Sequence, residues 1–203
     1  MFNRLTAAVA GLCVLASVSV AKATDFDFKD PKGVSTVTAS VDSLVEPFSA
    51  YGNGLSGTVS FDPAKPEATS GAIVLAVESL RVAHPTMTEH MHGEKWLDKE
   101  KYPAITFTIK SVEKVEAVSD TRWKLTVAGE LTLHGVTKPI TTVIDASFVE
   151  KGMATRMKGD NDLLVLRSSF TIDRVDYGIS PGMNTDKIGN MINLSIAIVG
   201  TSK

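Results

Sequence analysis

Residues 102–148 alternate apolar and polar side chains over three consecutive segments. The first segment places Ile105, Phe107 and Ile109 on one face, with Thr106 and Thr108 on the other. The same alternation gives the second and third segments one apolar face each, formed by Trp123, Leu125, Val127, Leu131 and Leu133 and by Ile140, Ile144, Ala146 and Phe148. Successive side chains of a strand point to opposite sides, so this pattern predicts three strands that are buried on one face and wet on the other. Neighbouring strands of this kind favour antiparallel pairing.

The remaining chain repeats this pattern in shorter segments. Alternation or β-branched residues fill residues 34–43, 55–61, 72–80, 163–173 and 188–199, and Pro- or Gly-containing stretches separate them. Residues 86–97 have helical spacing of Met87 and Met91, with Thr86 as a candidate N-cap. We therefore predict an all-β protein with about eight strands and one short helix near an end of the sheet. Eight antiparallel strands can close into an extended barrel without exposed edges.

Residues 1–23 have the composition of a secretory signal peptide. Arg4 precedes a run of about 16 apolar residues, which is short for a membrane span of roughly 20. Small residues at Ala21 and Ala23 suit a signal peptidase, so we predict cleavage after Ala23 and export to the periplasm. Residues 24–203 then form one domain. They contain no second long apolar run, so no stable membrane insertion is expected after cleavage.

Composition narrows the function classes of the exported chain. The single cysteine, Cys13, lies in the leader, so residues 24–203 have neither a disulfide nor a thiol nucleophile. Without the leader, 19 basic and 23 acidic side chains remain, a formal charge of −4. A mildly acidic domain without a basic stripe is a poor nucleic-acid binder. The sequence is compatible with a homodimer, and it does not point to a cofactor.

The inward face of the predicted barrel is almost entirely apolar, which leaves two hypotheses open from the residues alone. A barrel of eight strands is filled by its own side chains or holds one small ligand. In the ligand-binding case, the inward residues form the lining. This predicted lining consists of Val37, Val59, Phe61, Ile105, Phe107, Leu125, Val127, Leu131, Ile144, Phe170, Ile192 and Leu194.

Three histidines near the predicted helix are weak candidates for a metal site. His84, His90 and His92 lie within nine positions, and imidazoles are common metal ligands. A metal-assisted hydrolase at this region is therefore an alternative. Against it, residues two apart on a helix point in different directions. The sequence also lacks a Gly-x-Ser-x-Gly motif, so we expect a protein that is not an enzyme.

Arg174 and Asp176 flank Val175 before a Gly-rich loop. One interpretation is an ion pair between the two that holds the loop. The other is an anchor for an anionic head group, because a planar guanidinium matches phosphate and carboxylate oxygens.

Several motifs, in order, resemble the YceI-like family. Residues 100–107 read EKYPAITF and resemble its EKYP-x-I-x-F segment. Residues 129–140 read GELTLHGVTKPI and resemble its G-x-L-T-I-x-G-V-T-K-P-V hairpin, and residues 173–179 resemble its N-R-x-D-F-G segment. The match departs from the family at residues 30–35, where the usual histidine is absent, and at residues 95–98, where Trp96 and Leu97 replace two phenylalanines.

This resemblance implies a lipocalin-like barrel with an elongated pocket for polyisoprenoids or other long-chain amphiphiles. We accordingly expect a periplasmic carrier of a polyisoprenoid, an isoprenoid quinone or a fatty-acid derivative, with a long apolar small molecule as its partner. The alternative is a ligand-free structural or partner-binding β-protein. The missing histidine implies that head-group choice differs here if that residue touches the head group in relatives.

Overall fold

The computed structural model describes residues 23–203, which form one eleven-stranded antiparallel sheet. The predicted signal peptide, except for Ala23, lies outside the described residues. The strands are β1 Thr24–Asp27, β2 Thr36–Val41, β3 Phe48–Gly52, β4 Leu55–Phe61, β5 Ser70–Ala76, β6 Arg81–Val82, β7 Ala104–Ser119, β8 Arg122–Leu133, β9 Val136–Val149, β10 Leu163–Asp173 and β11 Met191–Ser202. The helices are α1 Pro85–His92 and α2 Met153–Arg156, and short 3₁₀ turns span Pro66–Ala68, Val77–Ser79 and Arg174–Tyr177.

Eight of the strands close into a ring, which confirms the predicted eight-stranded antiparallel barrel. The order around the ring is β1-β4-β5-β7-β8-β9-β10-β11, and β11 returns to β1. Closure uses only the end of β11, where Thr201 and Ser202 pair with Asp27 and Phe26. The first half of β11 pairs instead with β2, which continues to β3 and β6. The barrel therefore has two tiers that share the long strands β7 to β11. In the lower tier β11 pairs with β1, and in the upper tier β11 pairs with β2.

The three long strands predicted from the alternation are β7, β8 and β9, and they pair in sequence order. A two-residue turn, His134-Gly135, joins β8 to β9. Both of its residues have positive φ, 51° for His134 and 74° for Gly135. Such turns match the twist of the strands they join. Residues 24–27, which the alternation did not identify as a strand, form β1.

The predicted helix is shifted and shorter in the structure. It begins at Pro85, and His84 rather than Thr86 occupies the N-cap position, without a capping side-chain hydrogen bond. Proline at the first helical position is favoured because its missing N–H has no partner there anyway. The helix ends at His92, and Gly93 donates its N–H to the His90 carbonyl. Within residues 23–203 there is no helix long and apolar enough to cross a membrane.

A buried carboxylate ties the chain segment after β1 to α2. The Asp30 side chain is 1 % exposed and accepts from Arg156 Nη2 at 2.7 Å. The same carboxylate accepts backbone N–H bonds from Lys32 at 3.0 Å and Ser35 at 2.9 Å. Burial raises the pKa of Asp30, but these hydrogen bonds outweigh it and hold the pKa well below its ordinary value of 3.8. The ionised carboxylate is therefore favoured by the folded state.

We expect Asp30→Asn to lower the unfolding free energy by about 2–3 kcal/mol at pH 7, because hydrogen bonds to a charged group are lost. A depressed folded-state pKa contributes stability above the unfolded-state pKa, and this contribution is lost as the pH falls through and below about 4. The difference in unfolding free energy between wild type and Asp30→Asn, measured by urea titration, should therefore become smaller as the pH is lowered from about 5 to about 3. Asp160→Asn, at an exposed position, is the control. A gap that stays constant with pH would contradict this assignment.

Candidate functional site

The upper tier of the barrel encloses an apolar cavity of about 450 Å³. This volume falls within the range of small-molecule sites in proteins. Its walls are inward side chains of β2 to β5 and β7 to β11, and one end is covered by β6, α1 and the segments at residues 96–97 and 179–188. The alternative hypothesis required a barrel interior filled by its own side chains, and the upper tier is not filled in this way.

Nine of the twelve predicted lining residues border this cavity. They are Val37, Val59, Ile105, Phe107, Leu131, Ile144, Phe170, Ile192 and Leu194. Their facing follows from the alternation along each strand. Whether they contact a ligand stays a prediction.

Phe61, Leu125 and Val127 do not border the cavity, so their assignment as lining was wrong. They point inward as predicted, but they lie in the lower tier and are at most 1 % exposed. There the Phe61 ring packs edge-on against Trp123, with ring centroids 5.3 Å apart. Alternation gives the face of a residue but not its height along the barrel axis. We call this packed lower tier the closed end; its core also contains Phe26, Phe28, Ala146 and Leu164.

Gly129 allows the ring of Phe107, a cavity-lining residue, to pack against the backbone of β8. A Cβ at this position would lie 2.4 Å from Cζ of Phe107 and 2.7 Å from the carbonyl oxygen of Thr108. The Phe107 ring can therefore lie against the β8 backbone only because residue 129 has no side chain. Glycine inside a strand marks such a close approach, here of an aromatic ring.

The cavity mouth is formed by Glu46, Met87, His90 and Lys187, which are all exposed. Lys187 Nζ lies 3.7 Å from Oε1 of Glu46, so the lysine at the mouth already has a carboxylate partner. On α1, Met87, His90 and Met91 share the face that borders the cavity. The helix thus serves as part of the cavity wall.

The three histidines do not converge on one point. His90 borders the cavity, whereas His92 does not, and its Nε2 is 3.0 Å from the Leu80 carbonyl oxygen. Burial lowers the pKa of His92. His84 sits at the helix N-cap. Across residues 23–203, no three histidine, cysteine, aspartate or glutamate side chains form a group that could hold a metal ion.

Arg174 is fully buried and holds the loop that follows β10 through main-chain carbonyls. Its Nη1 donates to Ile179 O at 2.8 Å and to Ser180 O at 2.6 Å. Its Nε donates to Gly189 O at 3.1 Å, and its Nη2 to Ile188 O at 3.3 Å. Burial lowers the pKa of Arg174, and nearby Asp173 raises it. The guanidinium thus fastens both ends of the segment that covers the cavity.

The predicted ion pair between Arg174 and Asp176 is wrong. The two residues lie in a 3₁₀ turn rather than an extended strand, and Asp176 pairs with Lys138 of β9 at 2.9 Å. Arg174 does not border the cavity, so its placement does not support a head-group anchor. His134, in the turn between β8 and β9, is half-buried, and its Nδ1 is 3.0 Å from the Tyr177 carbonyl oxygen.

Two hydroxyl side chains interrupt the apolar lining, and the predicted lining did not include them. Thr142 and Ser168 lie at inward positions of β9 and β10, with their oxygens 2.9 Å apart. A signal for them existed. The apolar faces of residues 140–148 and 164–172 each skip one inward position, and those positions are Thr142 and Ser168.

The chain matches a known protein family over most of its length. A YceI-like domain model matches residues 19–200. A protein described as UPF0312 protein in Pseudomonas savastanoi pv. phaseolicola is 42% identical over 97 residues, which are 47% of this chain and 46% of that protein. The aligned part of this chain therefore spans about half the length of the first curated relatives that it matches.

Solved structures share the fold. The crystal structure of Burkholderia cenocepacia BcnA superposes with a TM-score of 0.65 at 20% identity, covering 81% of this chain and 95% of that one. A Saccharophagus degradans domain superposes with a TM-score of 0.63 at 14% identity, covering 90% of this chain and all of that one. That domain is described as a polyisoprenoid binding domain implicated in plant cell wall breakdown.

We expect Arg174→Ala to lower the unfolding free energy by about 3 kcal/mol or more, because several buried carbonyls lose their donors at once. Arg174→Lys should recover only part of this loss, since one ammonium cannot reach carbonyls on both sides of the loop. Urea unfolding measures the change, and limited proteolysis should show earlier cleavage within residues 178–190. Arg122→Ala, at an exposed position of β8, is the control. Equal stability of Arg174→Ala and Arg122→Ala would contradict the structural role.

Proposed function

The chain belongs to the YceI-like family, and from this premise we propose that it is a binding protein that carries one long-chain amphiphile in the upper tier of its barrel. The candidate ligands are a polyisoprenoid, an isoprenoid quinone or a fatty-acid derivative. The observation that carries this proposal is the enclosed cavity, whose only polar lining residues among those described are Glu46, His90, Thr142, Arg167, Ser168 and Lys187. The description of the Saccharophagus degradans domain as polyisoprenoid-binding supports the same ligand class.

The proposed mechanism is burial of hydrocarbon. Each methylene removed from water contributes about 0.8 kcal/mol, so a chain of a dozen carbons binds tightly without a specific hydrogen bond. The apolar walls also favour a non-enzymatic role, because few groups that could transfer a proton or attack a bond face the cavity. The composition of residues 1–23 supports a periplasmic location, where such a carrier would move water-insoluble molecules between membranes. No cofactor is needed for this activity.

If burial of hydrocarbon drives binding, the affinity should increase with the length of the ligand's hydrocarbon chain. In a series of saturated fatty acids, we expect affinity to rise about fourfold per added methylene, since 0.8 kcal/mol corresponds to that ratio. The rise should stop once the cavity is full. Displacement of a fluorescent fatty-acid probe measures each member. An affinity that does not change with chain length would contradict burial as the driving force.

Filling the cavity with a side chain should block ligand binding and leave the fold intact. Leu194 borders the cavity, and its neighbour Ser195 points outward on the same strand. We expect Leu194→Trp to weaken binding of a C16 fatty acid at least tenfold while the melting temperature stays within a few degrees. Ser195→Trp is the matched control and should bind as wild type does. A loss of about 1–3 kcal/mol of stability in Leu194→Trp alone would indicate an overpacked core instead.

Native mass spectrometry of the protein from its own source organism, combined with organic extraction, identifies the ligand class. A single co-purifying long-chain lipid near one-to-one stoichiometry is the expected result. A protein that is empty and also takes up neither fatty acids nor polyprenyl compounds would overturn the proposed function.

A further inference from the structure

The barrel wall parts between β9 and β10. These strands pair only from Leu163↔Val149 to Ser168↔Ile144. Beyond that point, residues 136–143 of β9 pair with β8 alone, and residues 169–173 of β10 pair with β11 alone. The ring of hydrogen bonds is therefore incomplete along the upper half of these two strands.

Side chains bound the separation at both of its ends. At the lower end, Ser168 Oγ donates to the Val143 carbonyl at 2.8 Å, which leaves the serine oxygen to accept from Thr142 at 2.9 Å. The serine hydroxyl thus satisfies a carbonyl next to the last paired residue of the ladder. At the upper end, the Lys138–Asp176 ion pair bridges β9 to the turn after β10. Between these ends, Ile140 and Phe170 pack against the buried cluster that contains Tyr177.

The cavity reaches the outer face of the barrel at the lower end of this separation. On each of the other strands that border the cavity, only alternate residues do so, as expected for a closed wall. On β10, three consecutive residues border it, namely Leu166, Arg167 and Ser168. Arg167 belongs to the exposed face of the strand. These three residues still pair with β9 and β11, but the separation of the two strands begins directly after Ser168, so the Arg167 side chain reaches the cavity beside that opening. We call Thr142, Arg167 and Ser168 the lateral window.

Arg167 carries a charge that the described residues leave uncompensated. Its cross-strand neighbour on β9 is Asp145, and Asp145 lies 3.6 Å from Lys124 on the far side. Among residues 23–203, no carboxylate lies within ion-pair distance of Arg167. The cavity mouth differs, because its lysine faces Glu46. An anion at the mouth would compete with that carboxylate, whereas an anion at the window would meet a free guanidinium.

We propose that the lateral window is the head-group site for an anionic amphiphile, with Arg167 binding the phosphate or carboxylate at the end of the buried chain. The proposal rests on the proposed function and deepens it. An ionised head group is strongly disfavoured inside an apolar cavity, so it must emerge where the wall opens. The planar guanidinium donates two parallel N–H bonds to carboxylate or phosphate oxygens. Thr142 and Ser168 give the passage a polar edge next to the apolar wall.

The test compares two probes with the same chain, hexadecyl phosphate and hexadecanol, by displacement of a fluorescent fatty-acid probe. In Arg167→Glu, we expect affinity for hexadecyl phosphate to fall at least tenfold and affinity for hexadecanol to stay within twofold of wild type. Arg167→Gln should show an intermediate loss for the phosphate alone. Raising the salt concentration should narrow the gap between the two probes in wild type more than in Arg167→Glu.

Arg122→Glu is the matched control, since it makes the same charge change at an exposed position of β8 that does not border the cavity. It should bind both probes as wild type does. Undiminished preference for hexadecyl phosphate in Arg167→Glu would overturn the window as head-group site. Loss of that preference in Lys187→Glu, with the preference kept in Arg167→Glu, would place the head group at the mouth and overturn the window equally. Failure of the wild type to bind either probe would instead overturn the proposed function.

Discussion

Closure of the barrel depends on β1, a strand of four residues. It pairs fully with β4 but shares only two residue pairs with the end of β11. Phe26, at 0 % exposure, anchors this strand in the closed end, and its ring lies edge-on to Phe148 with centroids 6.3 Å apart. The segment that follows is fixed by the Asp30 carboxylate and its Arg156 partner. Without these contacts, β4 and the end of β11 would become free edges, and the long strands would lose part of the wall that encloses their inward faces.

The alternation of side chains predicted the strands and their faces, because both follow from the backbone geometry of a strand. It could not predict the two tiers, because height along the barrel depends on how distant strands pair. For this reason Phe107 and Leu131 were placed correctly at the cavity, while Leu125 and Val127, on the same face of β8 as Leu131, belong to the closed end.

Charged residues were harder to place than apolar ones. The spacing of Arg174 and Asp176 suggested an ion pair in an extended chain, but both lie in one 3₁₀ turn, where Asp176 pairs with Lys138 and Arg174 donates to main-chain carbonyls. Asp30 and Arg156 lie far apart in sequence, so no local pattern could join them. Thr142 and Ser168 were visible as gaps in two apolar series, although only strand pairing shows that the gaps face one another. Polar contacts between residues far apart in sequence therefore cannot be predicted from the periodicity of the side chains.

The sharing of β11 between the two tiers bears on how such barrels diverge. The closed end packs Phe28 against the backbone of Gly200, where an added Cβ would lie 2.6 Å from the ring, so that end tolerates little change. The cavity tier shares the long strands but is completed by short strands, one helix and a loop fastened by a single arginine. Substitutions there alter the enclosed space without loosening the packed layer beneath. The sequence of the cavity tier can thus change while the architecture persists, which fits superposable barrels at 14% and 20% identity.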